Sequence, residues 1–162
     1  MALRPDRHIP HDGWEIRFTC PIVAQEGQIL VYSTPQASGA GTANDRAVAT
    51  VVANPSGAVP VGVLMTEVED IDQSKFHRNW HKTTQVINEP VPIAKKGWIT
   101  TNNIHGTPTV GATAYLGSSG AFAVTPSAAG GLVANPIMGE FETKLDEEGY
   151  ASIRIELPHK RA

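Results

Sequence analysis

Few stretches of ten residues in this 162-residue chain escape a glycine or a proline. The 15 Gly and 12 Pro are scattered along it rather than gathered in one segment. Each proline blocks a helix interior and each glycine weakens one, so little room is left for a helical domain. What lies between the interruptions is short and β-branched. Val, Ile and Thr number 14, 12 and 14, against 7 Leu and 3 Met. Such side chains are stiff at χ1 and pack well on a pleated surface. The expectation is all-β: a small antiparallel barrel or sandwich of short strands joined by turns, with an extended N-terminal arm.

The arm is residues 1–13. Leu3 and Ile9 are its only substantial apolar groups among Arg4, Pro5, Asp6, Arg7, His8, Pro10, His11 and Asp12. It cannot bury itself, so its order is expected to come from a partner. A single β domain is expected over 14–162. It starts where Trp14, Ile16, Phe18 and Cys20 alternate with Glu15, Arg17 and Thr19, the period of a half-buried strand. Residues 28–32, 48–53 and 59–65 read as further strands, the last two split by the turn Asn54-Pro55-Ser56-Gly57. Residues 112–116 and 121–125 flank a four-residue hairpin loop, Gly117-Ser118-Ser119-Gly120.

A final hairpin has one dry and one wet face. Ala151, Ile153, Ile155 and Leu157 alternate with Ser152, Arg154 and Glu156. Strict alternation likewise puts Ile137, Phe141 and Leu145 on the dry face, and Met138, Glu140, Glu142 and Lys144 on the wet one. A polar excursion spans 66–90, within which 72–82 is the best helical candidate.

A faint repeat runs through the chain. Gly27-Gln-Ile-Leu-Val-Tyr opens one half and Gly111-Ala-Thr-Ala-Tyr-Leu the other. Each half continues to Val-Ala-Asn-Pro, at Val52 and Val133, and then to a strand centred on Gly62 or Gly139. Two such units fit a small barrel or sandwich with pseudo-two-fold strand order.

Charge and composition exclude several classes. Lys and Arg number 13 against 16 Asp and Glu, a net charge of −3, so there is no basic field for nucleic acid. One cysteine leaves no disulfide framework and no Cys-rich metal site. The longest nearly apolar stretch, 57–65, is short of the ~20 residues a membrane helix needs. The charges of the first residues are not followed by an apolar run, so no secretory signal is read. Synthesis in the cytoplasm with Cys20 reduced is the expectation.

The candidate chemistry is sparse. His77 and His81 are spaced i, i+4, as metal ligands on a helix can be, and Phe76 and Trp80 share that spacing. No third ligand stands at a recognisable distance, so the histidines read as surface or subunit-interface groups anchored by the two aromatics. Glu67, Glu69, Asp70 and Asp72 cluster without the Gly and closing Glu of a calcium loop, and read as a solvated face. Cys20 lies on an apolar strand face before Pro21 and reads as a buried thiol. Ser118 lacks the Gly-x-Ser-x-Gly spacing of a nucleophile elbow. Lys95-Lys96-Gly97-Trp98 pairs cations with an aromatic, but two lysines make no nucleic-acid patch in an acidic chain. No active site assembles from these residues, and no cofactor is expected.

The order of motifs carries one resemblance. Pro60-Val-Gly-Val-Leu-Met is followed by the polar excursion and by Pro92-Ile-Ala-Lys-Lys-Gly-Trp-Ile-Thr-Thr-Asn. Then come Gly111-Ala-Thr-Ala-Tyr-Leu-Gly-Ser-Ser-Gly, Ile137-Met-Gly-Glu-Phe and a closing strand. This arrangement, over about residues 26–157, resembles the cement (decoration) proteins of tailed-bacteriophage capsids. The resemblance implies a non-enzymatic β-barrel-like protein that docks on the outer face of the major capsid shell and stabilises it. It also implies a homotrimer, with a dimer as the variant, and no contact with membrane or genome. The residues expected to meet the shell or a neighbouring subunit are Leu3, Arg4, Arg7 and Ile9 of the arm, and Phe76, His77, Trp80 and His81 of the excursion. Two other readings stand beside it. One is a β-barrel metal-dependent enzyme using His77, His81 and the acids of 67–72. The other is a receptor- or glycan-binding virion module with Trp80 or Trp98 as a stacking platform.

Overall fold

The computed structural model describes residues 9–10, 15–33, 47–72, 84–126 and 134–157. The strands are β1 Ile9–Pro10, β2 Glu15–Thr19, β3 Ile29–Tyr32, β4 Ala47–Thr50, β5 Pro60–Leu64, β6 Val68–Glu69 and β7 Gln85–Val86. They continue with β8 Pro90–Ala94, β9 Lys96–Thr101, β10 Ile104–His105, β11 Thr113–Leu116, β12 Phe122–Ala123, β13 Ile137–Phe141 and β14 Ala151–Glu156. Among the described residues the only helical turn is a 3₁₀ turn at Ser118–Gly120. The strands close a five-stranded barrel, β2-β4-β3-β5-β8, and build a seven-stranded sheet, β1-β9-β14-β13-β11-β12-β10. The all-β expectation holds. Among the described residues three pairings are parallel, β2–β4, β10–β12 and β6–β7, within an otherwise antiparallel fold.

The repeat is written into the backbone. Gln28 N–H donates to the Gln25 carbonyl at 3.2 Å, and Ala112 N–H to the Thr109 carbonyl at 3.1 Å. Gly27 and Gly111 sit at the third position of these turns with φ of +87° and +79°, where a side chain is disfavoured. Gly27 N–H then reaches the Leu64 carbonyl at 2.8 Å, and Gly111 N–H that of Phe141 at 2.7 Å. Tyr32 N–H meets the Val59 carbonyl at 3.0 Å, and Leu116 N–H that of Pro136 at 2.8 Å. The units β3-β5-β8 and β11-β13-β14 are thus two copies of one module.

Both copies carry the same β-bulge. Leu30 pairs with Gly62 and Val31 with Pro60, so Val61 is an extra residue. Ala114 pairs with Gly139 and Tyr115 with Ile137, so Met138 is the extra one. A bulge shifts the alternation by one position beyond it. Met138 therefore turns inward and is fully buried, while Ile137 is half-buried on the outer side. This corrects the strict alternation, which put Ile137 on the dry face and Met138 on the wet one. Phe141, Ala151, Ile153 and Ile155 are buried as expected.

The modules stack front to back. Phe18, Cys20, Leu30, Val61, Leu64, Val91 and Ile93 fill the barrel interior with Ala24 and Val68. Ile29, Val63 and Ala94 point out of the barrel, against Ala114, Met138, Phe141 and Ile153 of the second module. The first module is thus apolar on both faces. In the second, the positions equivalent to Ile29, Val63 and Ala94 are Thr113, Glu140 and Arg154, which face solvent to differing degrees. The stack ends where its outer positions become polar, as terminal repeats do in solenoids.

The loop read as a plain hairpin tip also ties the modules together. Ser119 N–H donates to the Val52 carbonyl at 2.9 Å, and Gln28 Nε2 donates to the Ser119 carbonyl at 3.1 Å. A Cβ on Gly120 would lie 2.8 Å from the Ile29 carbonyl oxygen, so the turn rests directly on β3.

The ends of the excursion 66–90 are joined by the β6–β7 ribbon, with Gln85 N–H donating to the Glu67 carbonyl at 2.8 Å. Most of the helical candidate at 72–82 lies outside the described residues. Ile9 and Pro10 of the arm pair with Trp98 and Gly97 of the chain's own sheet, where the sequence reading left the arm without an internal partner. Backbone pairing needs no apolar side chain, and proline is tolerated on an edge strand.

Candidate docking surface

The bulge of β13, the pairing of β13 with β14 and the pairing of β14 with β9 together fix one exposed face of the seven-stranded sheet. Glu140 pairs with Arg154, and Arg154 with Trp98. One step along the strands, Glu156 pairs with Lys96, and Ile137 lies beside Tyr115. The face is two rows: Thr113, Glu140, Arg154 and Trp98, then Tyr115, Ile137, Glu156 and Lys96. Arg154 Nη2 lies 3.8 Å from Glu140 Oε2, and Lys96 Nζ 3.4 Å from Glu156 Oε1. All four charged side chains are about half exposed, so these pairs are weak, in the range of 0–1 kcal/mol. Gly111 and Gly139 leave a shallow gap in the rows, a groove of about 270 Å³ lined also by Thr113, Ile137, Glu140, Arg154 and Glu156. That is below the ~300–1,000 Å³ of a small-molecule site. Val110, 62% exposed in the turn before Gly111, forms an apolar rim.

Of the residues singled out from sequence, Leu3, Arg4, Arg7, Phe76, His77, Trp80 and His81 lie outside the described residues. Ile9 is placed in β1, one strand from Arg154 by way of Trp98. Glu67 and Glu69 are half-buried, while Asp70 and Asp72 are exposed. Among the described residues no group of three or more His, Cys, Asp or Glu side chains is placed to hold a metal ion. The sequence reading passed over Glu140, Arg154 and Glu156 as a solvated face. A signal was present in the repeat, where two apolar positions of the first copy, Val63 and Ala94, become two opposite charges in the second.

Ser118 and His105 come together unannounced by spacing, with Ser118 Oγ 3.4 Å from His105 Nδ1. The contact is long and exposed. Two nearby backbone donors are in use, Gly117 N–H on the Ala121 carbonyl and Ser119 N–H on that of Val52.

Cys20 is fully buried, and its thiol donates to the Ile22 carbonyl at 3.3 Å. Burial pushes its pKa up from 9.0, and the backbone of Ile22 offsets this in part. The folded protein holds this proton more tightly than the unfolded chain. The resulting stabilisation is therefore intact below pH 9 and is lost as pH rises above it. The thiolate is the reactive species. Alkylation of Cys20 in native protein is expected to be at least about 100-fold slower than in denaturant, and equal rates would show that the thiol is accessible.

Protein-family models give no match to this chain, and no curated protein matches it.

Proposed function

We propose that this protein is a capsid decoration protein, which binds the outer surface of a tailed-phage shell and stabilises it. The observation that carries the reading is the coincidence of motif order and architecture. The motifs behind the resemblance are β5, β8 with β9, β11 with its 3₁₀ turn, and β13, the strands that build and stack the two modules. A shell under internal pressure needs a rigid clamp in many copies that bridges neighbouring subunits. A duplicated module with a continuous apolar interior and a polar outer cap suits that role. So does an arm whose charges of both signs fit a polar shell surface. The net charge of −3 fits a place outside the shell, away from the genome. Major capsid protein and further copies of the chain are its partners on this reading. It has no enzymatic activity, and its location is the virion exterior.

The test is co-sedimentation with undecorated shells of the phage that carries this chain. Full-length protein is expected to saturate the shells in stoichiometric amounts and to raise their resistance to heat. Deletion of residues 2–12 is expected to weaken binding by at least about tenfold, and high salt to reproduce part of the loss. The deletion removes only the β1 pairing from the described fold, so the melting temperature should fall by no more than about 4 °C. Failure of the full chain to bind shells would overturn the reading. Stoichiometric zinc or calcium in the purified protein would replace it with that of a metal-dependent enzyme.

A further inference from the structure

We propose that β1 is a guard strand, which closes the edge of β9 against pairing with the β9 edge of a second copy. A strand at the edge of a sheet presents backbone donors and acceptors that another strand can take up. Among the described residues the barrel is closed and has no such edge, while the seven-stranded sheet has two. One is β10, only two residues long and too short to template a partner. Without β1 the other would be β9, which at six residues is, with β14, the longest of the described strands. Each edge is thus blunted in its own way, one by shortness and one by a cover.

The register shows how the cover ends the sheet. Leu157 N–H donates to the Lys95 carbonyl at 2.8 Å, in phase with the ladder of β14 on β9. Successive residues of a strand direct their backbone groups to opposite sides. Gly97, Ile99 and Thr101 therefore direct theirs to β14, and Lys96, Trp98 and Thr100 direct theirs to the edge. Ile9 is in register with Trp98, so the N–H and carbonyl of Ile9 face β9. Pro10, the next residue, has its backbone on the outer side, where a proline offers no N–H to a further strand. The occupant kept out is a second copy. Two identical edges pair antiparallel about a two-fold axis, and in a solution of the pure chain the second edge is always present at the concentration of the first. The inference does not depend on the capsid reading, and it gives the arm a task within its own chain.

The test is sedimentation equilibrium of the full chain, of the chain lacking residues 2–12, and of Ile9→Pro. The point variant removes the N–H that β1 directs at Trp98 and keeps the length and charges of the arm. Both variants should self-associate at least about tenfold more tightly than the full chain. A peptide of residues 1–13, added in excess to the shortened chain, should return it to the state of the full chain. The same peptide carrying Ile9→Pro should not. Circular dichroism shows whether each variant has folded, and if the shortened chain has not, Ile9→Pro carries the test. Variants that match the full chain in size would overturn the inference, as would association that the peptide leaves unchanged. Loss of the fold in Ile9→Pro would also overturn it, because a strand that only guards an edge is not needed to hold the core.

Discussion

Replacing Gly139 with alanine is expected to destabilise the protein by at least about 3 kcal/mol, for the addition of one methyl group. A Cβ at this position would overlap the Arg154 carbonyl oxygen on β14. The obstacle is backbone within a paired strand, so no side-chain rotamer relieves it. The first module makes the same demand. A Cβ on Gly62 would lie 2.6 Å from the Ala94 carbonyl oxygen and would also strike Ile93. Both glycines sit at the bulge, where close approach of the next strand leaves no room for a side chain. Gly57 and Gly149 are the controls. They have φ of +70° and +82° but open space around them, so alanine there should cost about 1 kcal/mol. In a chain of this size the contrast is a fall in melting temperature of about 6–12 °C against about 2–4 °C. Equal losses at all four sites would mean that the bulge is not where it has been placed.

Met138→Asp is expected to unfold the protein, as are Phe141→Asp and Ile153→Asp. Each of these side chains is fully buried in the core between the modules. An unpaired carboxylate there costs several kcal/mol, against the ~5–15 kcal/mol of a whole domain. Ile137→Asp should be tolerated at a cost of about 1 kcal/mol, because Ile137 opens onto the outer groove. Glu142→Gln and Arg154→Gln, on exposed side chains, should change stability by less than about 0.5 kcal/mol. Met138 and Ile137 are adjacent, and simple alternation ranks them in the opposite order. Urea unfolding of the pair therefore reads the bulge directly, and a tolerant Met138 with an intolerant Ile137 would restore the unbroken pleat.

Several features could be read from sequence because their causes are local. The glycines and prolines exclude a helical core at each place they occur. The alternation of Ala151, Ile153 and Ile155 with Ser152, Arg154 and Glu156 fixes the faces of β14, since one side is wet and no bulge interrupts it. Asn54 to Gly57 encodes a turn, seen in the Ala58 N–H donated to the Pro55 carbonyl at 3.1 Å and in the positive φ of Gly57. The repeat was legible as well, because each copy needs a glycine at the turn and another at the bulge.

Tertiary structure decided the rest. Whether Met138 points in or out depends on the register of β13 against β11, and a register is a property of two strands, not of either sequence alone. The first module carries apolar residues on both faces of β5, so its sequence holds no sign of which face lines the barrel and which meets the second module. That choice is made by β2 and β4, which close one side, and by β14 and β13, which cover the other. The outer face has the same origin. Lys96, Glu140 and Arg154 are far apart in sequence and share a surface only through cross-strand pairing. Alternation and the hairpin could put Glu140 and Arg154 on one wet face, but they could not show Lys96 beside them.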